Sequence, residues 1–511
     1  MESFDYDLRS IQESRSLAHL GKVATDKIAD YTEEQIDKIL CNMVKVAVEN
    51  EVLLAKMAVE ETGFGNVEDK TFKNHLASII LYESIKNLKT IGVVSEDKEK
   101  KIMEIAEPVG LVMGIIPSTN PTSTTIFKAM IAIKSRNAIV FSPHPSAAKC
   151  TLKAAELMNN AAEAAGAPLN IIGCMSMPTM EGTNYLMKCK EVKMIIATGG
   201  PGLVKAAYSS GKPALGVGAG NTPAYIEKTA DVKKAVENIF ASKTFDYGTI
   251  CASEQSIIVE LDNRDQVIDE IKKQGGYFMS PEETRKVSQL LFTDKHAMNA
   301  KFVGRAPKVI ANAAGISIPE GTKILLGEQL GVGPNYPLSY EKLTTVLGFY
   351  IVKDWQEASE LCTELLRHGP GHTLSIHTED KDILMNFAKK PAARILVNTG
   401  STQGAVGAST GLIPSLTLGV GTWGGSSVSG NVSPMQLINI KSIAYGLKDK
   451  DCSVLVVKQS ENSVSNHKTQ SCKESNVTNN TACTPKINIE DNEQLLKLIH
   501  ELVDTIKRGE A

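Results

Sequence analysis

Cys251 stands in "KTFDYGTICASEQS", at the crest of a short polar loop, and the strand-like run "IIVEL" follows at once. Cysteine attacks carbonyl carbon as its thiolate, so a thiol so placed can be a nucleophile. It can equally be structural, as Cys41, Cys150, Cys174, Cys189 and Cys362 read. Two other stretches give it company. In "GIIPSTNPT", Asn120 follows an apolar strand between two prolines, where its side-chain amide can donate to an oxyanion or simply hold a turn. In "IIATGGPGLVKAAYSSGKP", a strand leads through Thr198, Gly199 and Gly200 to Pro201 and Gly202 at the start of a helix. That layout lets backbone amides approach a pyrophosphate, although the full Gly-x-Gly-x-x-Gly fingerprint is absent.

The elements that must position these groups follow from periodicity. Residues 1 to about 95 are helix-patterned, as in "TEEQIDKILCNMVKVAVENEVLLAKMAVEETG", which stops at a glycine. From about 110, short apolar runs ("GLVMGIIP", "NAIVFSP", "NIIGCM", "VKMIIAT", "PALGVG") alternate with helical stretches. Such alternation predicts an α/β fold with a parallel sheet that binds ligands at the carboxyl ends of its strands. A second α/β stretch runs from about 224 to 425, and "NVSPMQLINIKSIAYG" leads to a last predicted strand, "CSVLVVK".

Composition excludes several classes of function. The 511 residues carry a formal net charge of −3, with no basic excess to suit nucleic acid or an anionic membrane. The first residues lack a secretion signal and no long apolar run occurs, so the expected location is the cytoplasm. Nine cysteines without paired CxxC spacing suit neither a disulfide framework nor a zinc site, so no metal is expected.

Taken in order, "IIPSTNPT", "FSPHPSA", "IATGGPGLVKAAYSSGKPALGVGAGNTPAYI", "GTICASEQS", "YEKLTTVLGFY", "RILVNTGSTQG" and "PSLTLGVGTWGGSSVSGNVSPMQLIN" resemble the CoA-acylating branch of the aldehyde dehydrogenase superfamily, over residues 20 to 457. The resemblance implies a Rossmann-type cofactor domain with the N-terminal helices at 1–223, including part of a small β arm near 98–112. It further implies a catalytic domain at 224–425, and a C-terminal segment with an oligomerisation strand at 426–457. By position, Cys251 matches the catalytic cysteine, Asn120 the oxyanion-hole amide and Glu341 the glutamate that holds the nicotinamide ribose. Ser118, Thr119, Pro143, His144, Thr198, Gly199, Gly200, Pro201, Gly202 and Gly218 fall in the expected dinucleotide groove, and His372 matches a histidine that can serve the CoA thiol or only its loop.

One residue of the wider superfamily is missing. Hydrolytic aldehyde dehydrogenases activate water with a glutamate, whereas Val217 and Gly218 of "VGAGNTP" stand about there. Without a base for water, a thiol is the better acyl acceptor. The expectation is therefore oxidation of acetaldehyde or propionaldehyde by NAD, with NADP as the alternative, and acyl transfer to CoA. Succinate semialdehyde is the rival substrate and hydrolysis to the free acid the rival reaction. The resemblance also implies a homodimer or homotetramer.

Residues 458–490 are polar and poor in large apolar side chains, a tether by composition. In 491–509, Leu495, Leu496, Leu498, Ile499, Leu502, Val503 and Ile506 share one helical face. The pairing resembles the encapsulation peptides of bacterial microcompartments, which implies shell proteins as partners; the alternative is a helix that folds back on its own enzyme.

Overall fold

A computed structural model of the chain describes residues 5–293 and 296–447; the predicted strand "CSVLVVK", the tether and the amphipathic helix lie outside the described residues. The helical layer begins with Tyr6–Ile28, Glu33–Glu49, Glu51–Thr62 and Val67–His75. The periodic stretch from 32 to 63 reads as one helix but is two. It starts in a capping box, where Thr32 and Gln35 satisfy each other's backbone N–H, and it breaks at Asn50, which leaves helical geometry and binds Val46 O through its side chain. Gly63 closes the second helix at φ +68°.

Among the described residues fifteen strands follow: β1 (Gly92–Asp97), β2 (Ile102–Pro108), β3 (Leu111–Ile116), β4 (Ile139–Pro143), β5 (Ile172–Cys174), β6 (Val192–Thr198), β7 (Ala214–Val217), β8 (Thr222–Ile226), β9 (Glu254–Glu260), β10 (Gly276–Phe278), β11 (Ile324–Glu328), β12 (Val346–Val352), β13 (Gly371–His377), β14 (Ala392–Val397) and β15 (Ile438–Ala444). They form three sheets. The first parallel sheet has the order β5-β4-β3-β6-β7, and β3, β4 and β7 are buried at every position. Helices cover both faces, which is why its strands read as continuous apolar runs. The order reverses beside β3, so the loops after β3, β4, β6 and β7 converge on one crevice.

The second parallel sheet has the order β10-β11-β12-β9-β8-β13-β14. Its core is split between the two faces, with Ile257, Val259 and Phe349 on one and Tyr225, Ile258 and Leu374 on the other. The third sheet, β1-β2-β15, is antiparallel and largely exposed. Its first two strands span 92–108, whereas residues 111 and 112 already belong to β3. The C-terminal strand of this arm lies at 438–444, inside the stretch read as a connection, because a strand with nearly every residue exposed carries no burial alternation. No helix among the described residues is long and apolar enough to cross a membrane.

Candidate active site

Cys251 follows the helix Val232–Thr244 and the tight turn Phe245–Gly248, three residues before β9. Asp246 and Tyr247 take left-handed backbone angles in that turn, φ +47° and +51°, which swings the chain round to present the thiol. The Cys251 thiol therefore sits at the amino end of its own sheet, facing the carboxyl ends of β3, β6 and β7 across the crevice. Gly220, just before β8, backs the loop: a Cβ there would lie 2.1 Å from Cys251 O, so only glycine fits.

A cavity of about 260 Å³ opens in front of the thiol. It is lined by Ser118, Thr119 and Asn120 after β3, His144 after β4, Thr198, Gly199 and Gly200 at the end of β6, Val217 and Gly218 at the end of β7, and Cys251 and Glu341 from the loops before β9 and β12. Pro143 lines an adjoining cavity of about 410 Å³ that shares His144, Thr198, Gly199 and Gly200 with the first. Pro201 opens the helix Pro201–Tyr208, and Gly202 is not among the described residues that line either cavity. A Cβ on Gly200 or Gly218 would meet nothing within 4 Å, so these glycines leave a cradle open where a dinucleotide's phosphates can approach backbone.

His372, buried at the start of β13, lies behind the sulfur: its Nε2 is 3.2 Å from Cys251 Sγ, and Thr373 Oγ1 holds Nδ1 at 2.8 Å. Burial, with the charge of Glu341 added, pushes the thiol up to about 12. Burial, with Arg394 added, pushes the imidazole down to about 3. The resting pair is neutral, a thiol beside an imidazole. Glu341 accepts a hydrogen bond from Gly220 N at 2.8 Å, and burial raises its carboxyl to about 7.

Asn120 caps the helix Pro121–Lys134 and accepts at Oδ1 from Lys73 Nζ at 2.7 Å. Its Nδ2 donates to Thr119 Oγ1 at 3.1 Å and, at a long 3.4 Å, to Thr249 O, two residues before the nucleophile. That long contact is weak and is easily exchanged for an oxyanion.

Three charged residues of the site escaped the sequence reading. Arg394 on β14 is buried, donates to His372 O at 3.1 Å and Gly419 O at 2.8 Å, and has no carboxylate partner among the described residues. Its signal was an arginine heading the apolar run of "RILVNTGSTQG". Lys73 and Asp246, a buried ion pair, had no local signal. Among the other thiols of the described residues, Cys150, Cys174, Cys189 and Cys362 are buried, and Cys41 is exposed on its helix with Sγ 3.0 Å from Tyr82 Oη. No cluster of three or more His, Cys, Asp or Glu able to hold a metal occurs among the described residues.

Comparison with known proteins agrees with this architecture. The family model described as "Aldehyde dehydrogenase family" matches residues 13–278. The chain is 47% identical over 442 residues to the bifunctional aldehyde-alcohol dehydrogenase AdhE of Escherichia coli, covering 85% of this chain and 50% of that protein. It thus spans about half the length of the bifunctional relatives it matches. It is 39% identical over 438 residues to a succinate-semialdehyde dehydrogenase (acetylating) of Clostridium kluyveri, covering 85% and 96% of the two chains. Among solved structures, an acetylating aldehyde dehydrogenase from Geobacillus thermoglucosidasius superposes with a TM-score of 0.86 at 54% identity, covering 87% and 99%.

Proposed function

Because the chain belongs to the aldehyde dehydrogenase family, we propose that it oxidises a short aldehyde with a nicotinamide dinucleotide and passes the acyl group from Cys251 to CoA. The observation that carries this reading is the make-up of the cavity in front of the thiol. Val217 and Gly218 occupy the wall where a water-activating glutamate is expected, and Glu341, the one carboxylate lining it among the described residues, is tied to Gly220 N.

The chemistry starts from the neutral pair. As Sγ bonds to the aldehyde carbon, its proton passes to His372 Nε2, and the carbonyl electron pair moves onto oxygen. Asn120 Nδ2 and the Cys251 backbone N–H meet the resulting charge; one such donor is worth about 10²–10³ in rate. A bound nicotinamide dinucleotide supplies the hydride acceptor, with Glu341 as the acceptor for its ribose hydroxyls and the cradle at Gly199, Gly200 and Gly218 for its phosphates. Loss of hydride from the thiohemiacetal leaves a thioester on Cys251. The CoA sulfur then adds to the thioester carbon, the same donors hold the oxyanion, and the Cys251 sulfur leaves with its bonding pair. His372, having released to solvent the proton it took from Sγ, is neutral again; it accepts the CoA proton and returns it to the departing Cys251 sulfur.

Two finer assignments rest on the linings. Among the described residues no lysine or arginine lines the larger cavity, which leaves a 2′-phosphate without a partner there and favours NAD over NADP. None lines the smaller one either, while Ile250, Val406, Leu416 and Leu418 do, which favours acetaldehyde or propionaldehyde over succinate semialdehyde. The exposed β arm is the surface we assign to pairing in a homodimer or homotetramer. From the sequence of 458–509 alone, the tail addresses the enzyme to a microcompartment shell in the cytoplasm. Deletion of residues 487–511 then leaves turnover intact and abolishes co-purification with shell proteins; co-purification that survives the deletion removes the idea.

The deciding experiment is NADH formation from propionaldehyde and NAD, with and without CoA, beside Cys251→Ala. Sustained turnover that needs CoA and is lost in the variant is the expected result. Sustained turnover without CoA assigns the chain to the acid-forming reaction.

A further inference from the structure

Two lysines one turn apart on the helix Val67–His75 grip the loop that carries the oxyanion donor. Lys70 Nζ donates to Thr119 O at 2.9 Å, and Lys73 Nζ donates to Asn120 Oδ1 at 2.7 Å. Both ammonium groups also bind Asp246 Oδ2, on the turn that presents Cys251, and Lys73 reaches Thr249 Oγ1 at 2.9 Å. The three residues are buried. Asp246 is fixed in turn by Asn66 N at 2.9 Å and Thr249 Oγ1 at 2.6 Å, and a Cβ on Gly65 would lie 1.7 Å from its Oδ1. Taking these charges out of water is costly, and removing one partner alone is strongly destabilising, so such a cluster is a demanding way only to join a helix to a turn.

We propose that Lys73, clamped by Asp246, is a positioning residue for Asn120. A primary amide has two ends of nearly the same shape, and a flip of Asn120 would put its carbonyl oxygen where Nδ2 stands, beside Thr249 O, where it would repel an oxyanion. Lysine has three donors and no acceptor. It can bind Oδ1 and cannot accept from Nδ2, so the flipped amide loses its partner while the productive one keeps it. The cation on Oδ1 also draws electron density through the amide and strengthens Nδ2 as a donor. The three acceptors of Lys73, one each from Asn120, Thr249 and Asp246, use all of its N–H groups, which ties the oxyanion donor and the nucleophile's turn to one atom.

This inference rests on the reading of Asn120 as the oxyanion donor at Cys251, and not on the acyl acceptor. Its test is single-turnover acylation of the full chain by 4-nitrophenyl acetate, which needs neither nicotinamide nor CoA. Sγ adds to the ester carbon, the oxyanion collapses, and 4-nitrophenolate leaves with the C–O bonding pair, one per Cys251 acylated. Asn120→Ala slows this step by about 10²-fold and Lys73→Met by about tenfold. The Asn120→Ala, Lys73→Met double variant is no more than about twofold slower than Asn120→Ala alone, because Lys73 acts through the amide. An equal tenfold loss in both backgrounds, or no loss in either, overturns the proposal. Should Lys73→Met fail to fold, Lys73→Arg and Lys73→Gln decide. Arginine, a donor only, stays within about threefold of the parent, while glutamine, which can also accept from Nδ2, falls at least a further threefold; equal rates overturn it. If acylation follows this pattern while aldehyde and CoA give no NADH, the proposed reaction fails and the positioning role stands.

Discussion

His372 and Cys251, 121 residues apart in the chain, meet at 3.2 Å between Nε2 and Sγ, and Thr373 Oγ1 holds the far side of the ring. Both groups are neutral at rest, because the enclosure that pushes the thiol up to about 12 pushes the imidazole down to about 3.

The thiol's position implies a particular pH profile. Well below its pKa, the thiolate fraction rises tenfold per pH unit. Alkylation of Cys251 by iodoacetamide in the cofactor-free protein is therefore expected to climb by about tenfold per unit from pH 7 to 9, without a plateau near the ordinary thiol value of about 8.5. A plateau by pH 8 contradicts the enclosed-thiol picture. Cys251→Ala supplies the background rate from the other thiols, the exposed Cys41 among them.

His372 also links stability to pH. Its folded pKa lies below the unfolded value of about 6.5, so between there and about 3 the unfolded chain binds a proton that the folded chain does not. The stability from keeping this ring neutral is complete above about pH 6.5 and is lost as pH falls, by up to about 1.4 kcal/mol per unit. His372→Asn is expected to lose less stability than the parent between pH 7.5 and 5.0, by up to about 2 kcal/mol, in urea titrations. Identical losses in the two proteins count against it.

Glu341 titrates near the working pH. Burial raises its carboxyl to about 7, and the Gly220 N–H opposes that rise. As a carboxylate it accepts ribose hydroxyls more strongly, so KM for NAD is expected to fall as pH rises from 6 to 8. In Glu341→Gln that dependence vanishes and KM rises by about tenfold. A parent KM that does not change across this range removes the ribose-holding role.

Arg394 carries a buried charge whose partners are two backbone carbonyls. Burial lowers its pKa to about 10, and the nearby Cys251 pulls it back up. Arg394→Met orphans His372 O and Gly419 O, and is expected to cost about 3 kcal/mol in denaturant unfolding. Removing the cation also leaves the Cys251 thiolate less stable, so alkylation slows at every pH. A variant as stable as the parent shows that water or rearrangement satisfies both carbonyls.

What the sequence disclosed divides along physical lines. β3, β4, β6 and β7 are legible within a residue or two because a parallel strand covered on both faces must be apolar throughout. β15 is not, since its exposed residues face no core and alternate with nothing. The break at Asn50 is hidden because apolar spacing continues through it. In the site, Cys251, Asn120 and Glu341 lie in motifs recognisable in order along the chain. Lys73 and Asp246 are 173 residues apart, and their meaning arises only when folding brings them together. Isolated charges leave no periodic trace, and a buried lysine in a polar stretch reads like a solvated one.

The arm also sets a schedule for synthesis. β2 is paired along one edge by β1, a neighbour made moments before, and along the other by β15, whose Asn439 bonds Pro108 O across 331 residues. A ribosome adding about 5–20 residues per second delivers that second partner roughly 17–66 seconds after β2. Throughout that interval the nascent chain displays an open strand edge, the feature by which neighbouring chains on one message can cross-pair. This three-stranded sheet can close only once β15 has been made, long after the loop of Cys251 has left the ribosome.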